Sequence, residues 1–124
     1  MLALALPGCG GDDDDEAGAR QAVRDFVEAT NERDGERLCG ELVTERFKER
    51  ATGATGGRVD DVCERQLELT TGLELKLLHV GRTRVQGNQA TVQTRLDIDG
   101  VRAPRVFRLE KEDGAWKLAS GSSG

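Results

Sequence analysis

The sequence predicts an α+β domain in which three N-terminal helices pack on a curved four-stranded antiparallel sheet. Three observations carry this. Apolar residues recur with a helical period from Ala19 to Thr70 and with a strand period in the second half. Three turn signals, Gly87-Asn88, Asp99-Gly100 and Asp113-Gly114, divide that second half into hairpins. Helical and strand segments are segregated along the chain, which favours helices gathered on one face of an antiparallel sheet.

The first helix is expected over about Asp15 to Arg33. Its stripe is Ala19, Ala22, Val23, Phe26, Val27 and Thr30, with Arg20, Arg24, Asp25 and Glu28 on the other faces. Asp34-Gly35 ends it, and Asp34 is placed to cap the next helix. Leu38, Cys39, Leu42 and Val43 form the inner face of that short second helix, and Thr44 caps a further turn carrying Phe47. The stretch from Thr52 to Gly57 has no period and reads as a loop. A third helix starts at Asp60, turns Val62, Cys63, Gln66, Leu67 and Thr70 inward, and stops at Gly72. Leu73 to Val85 is strand-like, with a phase shift between Leu77 and Leu78 that signals a bulge or a helix-to-strand junction. Ala90, Val92, Thr94, Leu96 and Ile98 alternate cleanly with polar residues. Val101, Ala103, Phe107 and Leu109 mark the next strand, in which Pro104 asks for an edge or a bulge. Trp116 and Leu118 mark the last strand, and Ser120 to Gly124 reads as a frayed tail.

The chain of 124 residues allows one domain. Its aromatics are Phe26, Phe47, Phe107 and Trp116, so the core must be aliphatic and offers no platform for stacking bases. Net charge is −5, and the arginines are scattered among acids along the chain. That pattern speaks against nucleic acid as a partner and against direct attraction to an anionic membrane.

Leu6-Pro7-Gly8-Cys9 resembles the lipobox of bacterial lipoproteins. That resemblance implies a diacylated Cys9 at the mature N-terminus and a domain held at the cell membrane, facing outside the cytoplasm. Residues 1–8 then read as a truncated signal peptide remnant. Residues 9–15, with four consecutive aspartates, read as an acidic extended tether. The domain spans residues 16–120 and a disordered tail spans 121–124. With Cys9 acylated, Cys39 and Cys63 remain as an even pair in an oxidising compartment. A disulfide between them is the preferred reading, with two buried thiols as the alternative.

The run Asn31-Glu32-Arg33-Asp34-Gly35 leads from the long first helix into Leu38-Cys39-x-x-Leu42, and the chain closes on Asp113-Gly114-Ala115-Trp116-Lys117-Leu118. Together these are similar to the nuclear transport factor 2-like superfamily and, within it, to small bacterial lipoproteins of unassigned role. The resemblance implies a cone-like, cystatin-like roll. Its pocket would be lined by Phe26, Val27, Leu42, Phe47, Leu67, Val92, Leu96, Phe107 and Trp116, either open to an apolar small ligand or filled as core.

The preferred expectation is a binding or interaction module whose partner is an apolar ligand or an envelope protein. An isomerase- or dehydratase-like enzyme using an acidic residue and His79 in the cone pocket is the alternative, and a domain that dimerises through its sheet is a third. His79 is the only histidine, and the ketosteroid isomerase type of site also needs a tyrosine, which the chain lacks. Asp97 and Asp99 alternate with the apolar positions and read as solvated acids. Arg82, Arg84, Arg95, Arg102, Arg105 and Arg108 are expected to form a cross-strand ladder with Asp97, Asp99, Glu110 and Glu112. No metal-ligand spacing is present, and no cofactor is expected.

Overall fold

The computed structural model describes residues 7–69 and 73–123, with side chains from Asp14 to Ser122 within those ranges. Helix α1 runs Pro7–Glu32. It is followed by a single turn α2 (Gly35–Arg37), a π-helical turn (Leu38–Leu42), helix α3 (Glu45–Thr52), a 3-10 turn (Gly56–Arg58) and helix α4 (Val59–Leu69). Strands β1 (Leu75–Gln86), β2 (Gln89–Ile98), β3 (Val101–Glu112) and β4 (Ala115–Ser123) form one antiparallel sheet in sequence order. This is the predicted α+β class, with more helical pieces than the three expected.

Each departure has a local cause. The stretch 9–15, expected as an extended tether, lies inside α1, and Asp15 ties the helix to β3 through Lys111 Nζ at 2.8 Å. The expected second helix is broken at Val43–Thr44. Val43 is extended and pairs with Leu118 as a parallel bridge, and the Thr44 N–H donates to the Leu118 carbonyl at 2.9 Å. Thr44 then accepts from the Phe47 N–H at 3.1 Å, the cap expected of it, and opens α3. Asp34 caps α2 in the same way through the Arg37 N–H. The expected disordered tail 121–124 is strand as far as Ser123, because Gly121 has no side chain to keep it off Phe107: a Cβ there would sit 3.2 Å from the ring. Residues 1–6, 70–72 and Gly124 lie outside the described residues, and with them the stop of the third helix and all of the signal peptide remnant but Pro7 and Gly8, which open α1.

The sheet curves where its register slips. Shifts fall between Leu77 and His79, between Val80 and Thr83, and between Arg108 and Leu109. The first lies at the phase shift visible in the sequence. An extra residue on one strand bends it and raises its twist. All three expected hairpin turns form, with positive φ at Gly87, Asp99, Gly100, Asp113 and Gly114. Pro104 faces Arg95 across the β2–β3 ladder. Alternation from the closing Ile98–Val101 pair turns its nitrogen away from β2, beyond the Arg105–Ser123 pair where β4 ends, so no ladder bond is lost.

Helix α1 lies across the core face and is clamped at its C-terminal end. Asn31 donates to the Leu75 carbonyl at 2.7 Å and accepts from the Leu75 N–H at 2.8 Å, so one side chain supplies both hydrogen bonds of a missing strand neighbour. Arg33, in the left-handed region at φ 57°, donates to the Leu73 carbonyl. The buried core joins Val23 and Val27 of α1 with Val92 and Leu96 of β2, Phe107 and Leu109 of β3, and Trp116 and Leu118 of β4.

Candidate functional site

The nine residues expected to line a cone pocket come together, but as packed core. Val27, Leu42, Leu67, Val92, Leu96, Phe107 and Trp116 are buried, and Phe26 and Phe47 pack against them half-buried. The Phe26 and Phe107 rings meet at a centroid distance of 6.0 Å and an interplanar angle of 56°, which fills the middle of the cone. Leu42 and Trp116 also border a surface cleft beside Gly18, Asp25 and Glu112. Lys111 Nζ stands 5.3 Å from the Trp116 ring centroid.

The sulfurs of Cys39 and Cys63 are 2.01 Å apart and form a disulfide. Cys39 sits on the π-helical turn and Cys63 on α4, so the bridge spans the segment that carries α3. The Cys9 side chain, the expected lipidation site, is outside the described ones.

His79 is exposed on β1, away from the cone interior. It lines a surface cleft with Arg82, Arg95, Arg105, Gln93 and Pro104, and no carboxylate lines that cleft with it. The structure therefore does not bring His79 and an acid together in the cone. Asp97 and Asp99 serve the turns. Asp97 accepts from the Gly100 N–H at 2.7 Å, and Asp99 accepts from the Glu74 N–H at 3.0 Å. Among the described residues no group of three potential metal ligands is gathered, and no helix is long and apolar enough to cross a membrane.

Among the described residues the expected arginine ladder forms one ion pair. Arg102 reaches Asp97 at 3.9 Å, while Glu112 takes Lys117 instead at 3.8 Å. The reason is register: Arg84 and Arg108 both stand opposite Thr91, in a row that continues to Ser120 and contains no acid. Arg84, Thr91 and Arg108 alternate with the inward residues of their strands, so they lie on the face opposite the core. Helix α3 adds Arg46 and Arg50 from beside the β4 edge, four residues apart on one helix face. Arg50 Nη2 donates to the Ala119 carbonyl at 2.6 Å, at the extra residue of the β4 bulge. These four arginines line one cleft of about 560 Å³ with Thr44, Gln86, Gln89, Thr91, Glu110 and Ser120. Arg46, Arg84 and Arg108 have no hydrogen-bond or ion-pair partner among the described residues.

This cleft was not legible as a cluster in the sequence. The signals for it were the four-residue spacing of Arg46 and Arg50, and the hairpin register that sets Arg84 and Arg108 on either side of Thr91.

Lys48, between those two arginines in sequence, turns the opposite way. It is buried and paired with Asp60 at 2.6 Å and Glu45 at 3.1 Å. Burial disfavours its ammonium form, but the hydrogen bonds and charges of Asp60 and Glu45 outweigh that, and its pKa is raised. A raised folded-state pKa means the contribution to stability is complete below the ordinary lysine range and is lost as pH rises through the raised value. Because both acids are half-exposed, Lys48→Met is expected to cost only about 1–2 kcal/mol at neutral pH. Denaturant unfolding across a pH series checks this: the gap between variant and parent should narrow at strongly alkaline pH.

No family model and no curated protein matches the sequence. Solved structures match its shape. A putative scytalone dehydratase from Novosphingobium aromaticivorans aligns over 91% of this chain and 89% of its own, at TM-score 0.61 and 14% identity. A nuclear transport factor 2-like protein of unknown function from Silicibacter pomeroyi aligns over 89% and 94%, at TM-score 0.58 and 18% identity. An LEH-like epoxide hydrolase from M. tuberculosis aligns over 85% and 79%, at TM-score 0.56 and 16% identity. The likeness at these identities establishes the fold, which is nuclear transport factor 2-like, as the sequence resemblance implied.

Proposed function

We propose that the chain is a lipid-anchored extracytoplasmic binding module that recognises its ligand on the outside of the cone. The observation that carries the binding part is the contrast between the two candidate surfaces. The cone interior is filled by Phe26 and Phe107 together with their aliphatic neighbours, while an open cleft on the far face holds three arginines with no partner among the described residues. Guanidinium groups gathered in one concave site without partners are available to an anionic ligand. Support for the anchor comes from the cysteines. Cys39 and Cys63 satisfy one another, which leaves Cys9 in its lipobox-like context as the remaining thiol, and a disulfide suits an oxidising compartment.

The anchor has a direct test. Expressed from its native locus, the protein should partition with membranes and gain the mass of a diacylated cysteine. Cys9→Ser should release it to the soluble fraction. An unmodified Cys9 in the native product would remove the anchor from this reading and leave the binding surface to its own test.

A further inference from the structure

We infer that the arginine-lined cleft is a binding site for a small hydroxylated molecule carrying two phosphate groups. This rests on the reading of the outer surface as the ligand-binding one, and not on the anchor.

Charge sets the first limit. Arg46, Arg50, Arg84 and Arg108 face a single acid, Glu110, in the cleft. Two phosphate monoesters carry about −3 to −4 at neutral pH, which balances that surplus, whereas one carboxylate does not. Geometry sets the second. Arg84 and Arg108 flank Thr91 on neighbouring strands, so their backbones are two strand spacings apart, about 10 Å. Their guanidinium forks, at the ends of long side chains, can close on one phosphate from both sides, and such forks match phosphate oxygens two at a time. Arg46 and Arg50 stand on a different element, α3, and provide a second pair for a second phosphate. Arg50 is already held by the Ala119 carbonyl, so part of its ordering cost is met before a ligand arrives.

Size and polarity set the third limit. A cleft of about 560 Å³ is far larger than a single inorganic anion and falls in the range of small-molecule sites. Thr44, Gln86, Gln89, Thr91 and Ser120 add donors and acceptors for hydroxyl groups, beside the apolar Ala90, Leu109 and Ala119. No aromatic side chain lines it, so nothing there stacks a base, and a nucleotide is disfavoured relative to a sugar or polyol bisphosphate.

The test is isothermal titration of the full chain carrying Cys9→Ser, so that no lipid enters the assay, with fructose bisphosphate as probe. Saturable binding that weakens with salt is expected, with none for fructose. Arg84→Gln and Arg108→Gln should each weaken it about tenfold. Arg102→Gln, at the far end of the sheet, should leave it unchanged. Arg84 and Arg108 have no partner among the described residues, so both variants should unfold thermally like the parent, which separates lost binding from lost fold. No binding of the bisphosphate would overturn the inference. So would binding indifferent to Arg84 and Arg108, or tighter binding of citrate. Arginine-dependent binding of phosphatidylglycerol vesicles without binding of the soluble probe would overturn it as well, and would assign the cleft to a lipid headgroup. None of these outcomes bears on whether Cys9 is acylated.

Discussion

Phe107→Ala is expected to destabilise the domain by about 3–5 kcal/mol, the range for emptying an aromatic core position. Phe107 is 6% exposed. Its ring meets Phe26 of α1 on one side and the bare backbone of Gly121 on the other, so neither neighbour can move in to fill the space. The ring is therefore both a link between α1 and β3 and the plug of the cone. Its loss should produce a dry apolar cavity, and such cavities take up benzene. Benzene should accordingly raise the thermal midpoint of Phe107→Ala and leave that of the parent unchanged, since a ligand stabilises only the state it binds. An equal rise in the parent would show that the interior is already open, and the apolar-ligand expectation would return.

Removing the disulfide is the second large effect. Cys39→Ala with Cys63→Ala is expected to cost about 3 kcal/mol, the chain-entropy value for a loop of roughly 25 residues. In a domain of about 100 residues that lowers the thermal midpoint by roughly 12–20 °C. The closed loop carries α3, which otherwise reaches the rest of the fold through Phe47 against the core, Lys48 with Asp60, Arg50 with Ala119, and the Val43–Thr44 contact with Leu118 just before it. Loosening it should also loosen the Arg46 and Arg50 wall of the cleft. Thermal unfolding of the double variant, and of the parent with and without reductant, reads the effect. A parent midpoint that ignores reductant would show that the bridge contributes nothing.

The fold was legible because most of its decisions are local. Asp34, Thr44 and the three hairpin turns each sit where their own chemistry needs them, and Ala90 to Ile98 alternates without a break. What escaped was decided at a distance. Val43 is helical by its neighbours and extended by Leu118, which lies 75 positions later. Gly121 reads as tail until Phe107 is placed beside it. The candidate site escaped for the same reason. Along the chain the arginines alternate with acids, but cross-strand neighbours are set by register, and register places Arg84 and Arg108 beside Thr91 with no acid in the row. The nine residues expected to line the cone share one core cluster. Whether such a group encloses space or fills it depends on ring packing, which the residue types do not specify.

The two outer flanks of the sheet have a consequence for how copies of this chain meet. On β4 the flank is taken by Val43, Thr44 and Arg50, which bond to Leu118 and Ala119. On β1 it is interrupted by two register slips within a few residues. Among the described residues neither flank presents a long, straight row of unpaired donors and acceptors, the feature that templates edge-to-edge strand addition. The folded form therefore carries its own guard against amyloid-like growth at the sheet edges.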